Sequence, residues 1–314
     1  MLNIFPKIIV WLIVVINIVL RRLHKRLSVI HEKMRKHTNL NTHEVLIKRT
    51  AARYDMNSGG DESYYASFYN YFITEQIKKH YKFDDLSILD LACGQGRTIL
   101  ALLNSQEVQV KSYVGVDFSK EALNKASKYF KKLSNIYKEN INYKFENKNI
   151  IEYLEGVQDN SLDCVWLLEV LYMVEKPEFL IRTIVKKLKK NGIFFLTFRP
   201  ELYYVLSLLD SGLIAGIDLM KNSSQGDIYN SGVVLNWSCA DKIKSQLSSD
   251  YGLILNGLIG VGVASGIQGD PHSKITQPSH LTSKEQKILM DSEVWLGLAY
   301  PDSGRYILCS CTKI

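Results

Sequence analysis

The chain has 314 residues, 46% hydrophobic and 23% charged, with 39 Lys and Arg against 32 Asp and Glu. That length allows about two domains, and the balance excludes a disordered chain, a collagen-like fibre and a polytopic membrane protein. The net charge of +7 raises the question of an anionic partner, yet residues 21–53 alone hold ten basic and two acidic residues, and the remaining 29 basic and 30 acidic residues nearly cancel.

Sixteen of the first twenty residues are apolar, and 8–20 is interrupted only by Asn17. Three readings compete for this stretch. A signal peptide is disfavoured, because Arg21-Arg22 follows at once with no small-residue cleavage site. A buried core helix would show a polar face, which is missing. A single membrane anchor over 1–26 is favoured, although 13 residues is near the short limit for a span. The basic linker 27–53 then places the rest of the chain on the cytoplasmic side. Translation starting at Met34 or Met56 is a fourth reading, and it would remove the anchor. The five cysteines, Cys93, Cys164, Cys239, Cys309 and Cys311, form no CxxC pair. They read as small buried residues in a reducing compartment.

From residue 63 onward two periods alternate. Tyr65, Phe68, Phe72 and Ile77 recur at helical spacing over 63–80. A short apolar strand is expected at 87–92, a helix at 98–104, a strand at 112–116 and a helix at 120–133. Then come a strand at 142–145, a short helix at 150–154 and a strand at 162–168. A helix over 178–189 is expected to stop at Asn191-Gly192, with a strand over 192–198. Strands alternating with helices predict an α/β fold with a doubly wound, mostly parallel sheet. Residues 200–236 break the alternation, first apolar and near-helical, then polar, and read as a lid-like insert in a domain spanning 54–314, with a dimer face or a second membrane-touching element as equal alternatives. A helix at 241–249, a strand at 253–263 and a last, antiparallel strand at 304–311 complete the chain.

The most informative stretch is Asp90-Leu91-Ala92-Cys93-Gly94-Gln95-Gly96-Arg97. A strand entering a Gly-x-Gly turn and then a helix lets backbone approach a ligand, with free helix N–H groups facing an anion. Asp117 ends the next strand, where a carboxylate can accept both hydroxyls of a ribose. Dinucleotide-binding folds use similar geometry. Here, however, Ile99 replaces the third glycine of their fingerprint, and a pyrophosphate would repel Asp90.

These residues resemble the first motif of class I S-adenosylmethionine-dependent methyltransferases, which have a Rossmann-like fold. Residues 114–119 (VGVDFS) are similar to that family's ribose-binding segment, 145–154 to its adenine-contact segment, and 158–174 and 188–198 to its fourth- and fifth-strand signatures. The resemblance implies S-adenosyl-L-methionine as cofactor. It sets Ala92, Gly94 and Gly96 along the methionyl part, with Asp90 near the ammonium group. Asp117 would meet the ribose, and Phe118, Asn149 and Ile150 the adenine. It leaves Arg97 divided between facing solvent and pairing with an acid, and Tyr54-Asp55 divided between closing over the cofactor and forming a surface turn. Residues 169–174 (EVLYMV) resemble a stretch of quinone-pathway O-methyltransferases, but Tyr172 and Met173 stand where those have an acid and a histidine. No metal is therefore expected, while Glu169 is expected to face cofactor or acceptor.

The acceptor is expected to be a small, lipid-like molecule methylated at the cytoplasmic membrane face. Nucleic acid is disfavoured, since residues 54–314 have no basic excess and no Asn/Asp-Pro-Pro-aromatic motif. No catalytic base can be assigned; His272, His280, Tyr203, Tyr229 and Glu169 are the candidates. A non-catalytic, membrane-tethered binding or scaffold protein with the same fold is the alternative reading. The oligomeric state is not legible.

Overall fold

The computed structural model describes residues 60–81, 86–137, 141–267, 270–272 and 275–314. The expected anchor, the basic linker, Met34, Met56 and Tyr54-Asp55 lie outside them. Among the described residues no helix is long and apolar enough to cross a membrane.

The described chain begins with α1 (Asp61–His80), β1 (Leu86–Leu91), α2 (Arg97–Ser105), β2 (Val110–Val116), α3 (Lys120–Tyr137) and β3 (Asn142–Glu146). It continues with α4 (Ile150–Glu155), β4 (Leu162–Leu167), α5 (Pro177–Lys187) and β5 (Leu188–Phe198). The insert carries α6 (Glu201–Ser211), α7 (Ala215–Lys221) and the two-residue strands β6 (Gln225–Gly226) and β7 (Leu235–Asn236). Then come α8 (Ala240–Ser249), β8 (Leu253–Val261), α9 (Ser283–Ala299) and β9 (Tyr306–Lys313). The main sheet has the order β3-β2-β1-β4-β5-β9-β8. Strands β1 to β5 are parallel to their neighbours, and β9 runs antiparallel between β5 and β8.

The period of two along each strand divides the core. Ile88, Cys164, Trp166, Ile193 and Phe195 face a layer built on α1, α2 and α3, which includes Phe68, Phe72, Ile99 and Phe130. Leu89, Leu91, Val165, Leu167, Phe194 and Leu196 face Leu180, Ile181 and Ile184 of α5, and Ile243 and Leu247 of α8. All four apolar residues singled out at helical spacing on α1 are buried.

One expectation needs correction, and one helix was not expected. The fifth helix does not run to Asn191-Gly192. It ends at Lys187, and Leu188 is already extended, fully buried and paired with Leu162. Asn191, at φ +64°, instead marks a bulge inside β5, across which Leu162↔Leu188 gives way to Cys164↔Ile193. The other difference is α9, which falls in a stretch for which no element was expected. Its start carries a full capping box, with the Thr282 hydroxyl accepting from Glu285 N–H and the Glu285 carboxylate accepting from Thr282 N–H.

The insert has its own small core, in which Tyr204, Leu208, Met220, Ile228, Leu235 and Trp237 pack together. Ser238 joins it to the sheet end: its N–H donates to the Arg199 carbonyl at 3.1 Å.

Candidate functional site

The glycine turn sits at the carboxyl end of β1. Ala92, Gly94 and Gly96 all adopt left-handed backbone, at φ +59°, +55° and +74°. A side chain strains this conformation, and glycine does not. A Cβ on Gly94 would meet nothing within 4 Å, so the face of the turn at that position is open to a ligand. Gly96 is the N-cap of α2, and no side chain caps that end. Gly96 itself offers no side-chain acceptor to the first N–H groups of α2, and a helix N-terminus suits a carboxylate.

Asp117 is buried, and it ties this turn to the next strand. Its Oδ2 accepts from Gly94 N–H at 2.8 Å and its Oδ1 from Ser119 N–H at 2.7 Å. Each carboxylate oxygen keeps a second acceptor direction, which leaves room for ribose hydroxyls. Burial raises the Asp117 carboxyl, and the Ser119 and Gly94 N–H groups pull it back down. Asn147, which the sequence did not single out, donates to the Asp117 carbonyl at 3.0 Å and joins the end of β3 to the same corner. Phe118 is half-buried beside it.

Asp90 lies under the turn, 5% exposed, and accepts from the Tyr113 hydroxyl at 2.9 Å. Burial lifts its carboxyl to about 7, while the Tyr113 bond opposes the rise. A cation placed near it would favour the charged form. Asn149 and Ile150 have structural roles of their own. Asn149 is the N-cap of α4, accepting from Ile151 N–H at 2.9 Å, and it is exposed. Ile150 is half-buried against the second core layer.

Glu169 follows β4 in left-handed backbone, at φ +58°. Strained residues thus stand at the ends of both β1 and β4, on the rim where the ligand is expected. Arg97 pairs with two acids and does not simply face solvent: one guanidinium nitrogen bonds Glu62 of α1 and the other bonds Glu169. Burial alone would raise Glu169, but Arg97, Arg305 and Arg199 outweigh it and hold the carboxyl below its usual range. Glu62 shows the opposite balance, and its carboxyl is raised by burial.

Beyond Glu169 the site continues into residues that carried no motif. Arg199, at the end of β5, is enclosed by the rings of Tyr306, Tyr203 and Tyr172, at 3.8, 4.0 and 4.6 Å from their centres. Arg305 donates to Asp270 at 2.5 Å, and both are buried. His272 is buried next to Asp270, with its Nδ1 3.1 Å from the Gly262 carbonyl. Tyr203 packs edge-on against His272, and Tyr229 donates to the Ser207 hydroxyl at 2.7 Å. His280 is exposed on a short turn. No spacing rule brings Arg199, Asp270, His272 and Arg305 together. They meet because β9 is inserted next to β5.

This geometry fits S-adenosylmethionine: an open glycine turn, a helix N-terminus with a glycine N-cap, a buried acid within reach of a ribose and an aromatic side chain beside it. Residues 82–223 match the family described as Methyltransferase domain. Two curated proteins named ubiquinone biosynthesis O-methyltransferase, from Rickettsia bellii strains OSU 85-389 and RML369-C, are each 30% identical over 148 residues. That alignment covers 46% of this chain and 56% of theirs, so the chain spans about half the length of the curated relatives it matches. A putative S-adenosylmethionine-dependent methyltransferase from Listeria monocytogenes superposes with a TM-score of 0.47 at 15% identity, covering 76% of this chain and 97% of that one. Magnesium protoporphyrin IX methyltransferase from Synechocystis PCC 6803, with bound SAH, gives 0.45 at 14%, covering 78% and 82%. Residues 82–223 are thus similar to a methyltransferase domain.

Proposed function

We propose that the whole protein transfers the methyl group of S-adenosylmethionine to an oxygen of a small, apolar, lipid-like acceptor at the cytoplasmic face of a membrane. The observation that carries the reading is the Gly94–Asp117 hydrogen bond, which holds an open glycine turn and a buried acid in one corner. The names of the Rickettsia relatives, O-methyltransferases of ubiquinone biosynthesis, support an oxygen acceptor of greasy character. The insert supports it as well, because Leu209, Leu213, Ile214, Leu219 and Val234 are exposed on it. The apolar, basic-flanked N-terminus supports the membrane location.

When bound, the cofactor supplies a methyl group made electrophilic by its sulfonium. The chain's task is to bind and align. Gly94 and Gly96 admit the methionyl part, the α2 N-terminus holds its carboxylate and Asp117 takes the ribose. Holding donor and acceptor close and in line supplies much of the acceleration. Arg97, pinned by Glu62 and Glu169, keeps α1 and the β4 end against the turn.

Calorimetry with S-adenosylmethionine on the wild type and on Asp117→Ala tests the cofactor site. Binding by the wild type and a loss of tenfold or more in the variant are expected; a wild type that does not bind overturns the reading. Transfer of labelled methyl groups into a fractionated extract then tests the acceptor. Label is expected in the lipid-soluble fraction, and label in protein or nucleic acid only would refute that part.

A further inference from the structure

Buried polar groups in proteins are nearly always hydrogen-bonded, so two orphans lining one cleft need a reason. Arg199 is 6% exposed and Ser238 is 7% exposed. Two of the Arg199 nitrogens have partners: Nη1 donates to the Arg305 carbonyl at 3.0 Å and Nη2 to the Tyr306 hydroxyl at 2.6 Å. Among the described residues its Nε has no hydrogen-bond partner, and neither has the Ser238 hydroxyl. Among the described residues no carboxylate forms an ion pair with Arg199. Both residues line a cleft at the carboxyl end of β5, between α5, α8 and the insert. Its walls include Tyr172, Phe198 and Trp237, and Lys242 and Glu178 also line it. Lys242 and Glu178 are exposed, and their charges offset each other; the Glu169 carboxylate feels the Arg199 charge but, among the described residues, forms no ion pair with it.

We propose that this cleft binds an organic carboxylate, held by the Arg199 Nε–H and the Ser238 hydroxyl. A carboxylate accepts from both donors and sets a negative charge beside the buried Arg199 cation. Aromatic walls suit the carbon skeleton of such a monoanion better than a compact, strongly hydrated dianion. The inference deepens the proposed methyl transfer. The cleft opens beside Tyr172, three residues beyond Glu169 at the β4 end, so the carboxylate would belong to the acceptor.

The test is calorimetry on the full chain with benzoate and hexanoate, their neutral amides benzamide and hexanamide, and inorganic phosphate. Each carboxylate is expected to bind at least tenfold more tightly than its amide and more tightly than phosphate. Ser238→Ala should weaken carboxylate binding threefold or more, Arg199→Lys fivefold or more, and Arg199→Gln should remove the preference over the amide. Ser238→Ala deletes only an unpartnered hydroxyl, so it keeps the test valid should the Arg199 variants fail to fold. Equal binding of acid and amide, tighter binding of phosphate, no carboxylate binding, or unaltered carboxylate affinity in Ser238→Ala would each overturn the proposal. A parallel titration with S-adenosylhomocysteine separates the two readings. Its binding without carboxylate binding refutes this site alone, and the converse result refutes the cofactor site alone.

Discussion

The carboxylate of Glu169 accepts a hydrogen bond from the guanidinium of Arg97, joining the end of β4 to the first turn of α2. The other arm of Arg97 reaches Glu62, so one cation braces three elements around the glycine turn. The side chains are about 20% exposed, which places the pairs between a surface and a buried salt bridge. Replacing Arg97 by Met strands two acids in a partly dry site and should cost roughly 1–3 kcal/mol. Thermal unfolding checks the stability, and a cofactor titration should show weaker binding as the turn loosens.

The glycine turn separates stability from binding. Gly94→Ala places a methyl in open space on strained backbone, and the strain should cost about 1 kcal/mol. Its larger effect should be on S-adenosylmethionine affinity, because that methyl occupies the ligand's approach. Gly96→Ala should cost a similar amount, since its Cβ would touch Ile99, Ala126 and Phe130 only at ordinary contact distances of 3.5–3.7 Å. Denaturant melts read beside calorimetry distinguish the two variants.

Asp90 makes stability depend on pH. Its carboxyl is raised to about 7 from an ordinary 3.8, chiefly by burial, so the folded protein keeps a proton that the unfolded chain releases. The contribution is fully present below the ordinary value and is lost as pH rises through about 7. Between pH 5 and pH 8 the wild type should lose roughly 2 kcal/mol more than Asp90→Asn, which cannot ionise. Identical pH profiles of unfolding in the two proteins would refute this.

Asn149 has a mainly structural expectation. Asn149→Ala removes the α4 cap and should destabilise by roughly 0.5–2 kcal/mol. Its effect on cofactor affinity should be smaller than that of Asp117→Ala, which calorimetry on both variants checks.

The anchor is tested in cells. The full chain should sediment with membranes and a version lacking residues 1–26 should not; equal partition of the two would remove the anchor.

Much of the fold was legible because the inner strands bury both faces and read as short apolar runs, while amphipathic helices such as α2 and α3 leave a period of 3.6. Helix α9 escaped for a physical reason. Its buried positions include Glu293 and Gly297, while Trp295 and Leu298 are exposed, so the usual pattern is inverted. Glu293 sits inside because it accepts from Val263 N–H at 2.8 Å and from the Ser265 hydroxyl. The capping box at Thr282 and Glu285 was the signal that could have found this helix. In the site, Gly94, Gly96 and Asp117 were legible because turn chemistry and strand ends are local properties. The pairing of Arg97 with Glu62 and Glu169 was not, since those partners belong to separate elements.

The sequence by itself determined the alternation of strands and helices, the glycine turn after β1 and the acid at the end of β2. These depend on backbone freedom and on neighbours a few residues apart. Only the tertiary structure decided that β9 enters between β5 and β8, bringing Arg305 and Tyr306 to Arg199. Contacts across a hundred residues depend on which surfaces pack, and such packing leaves no periodic mark along the chain.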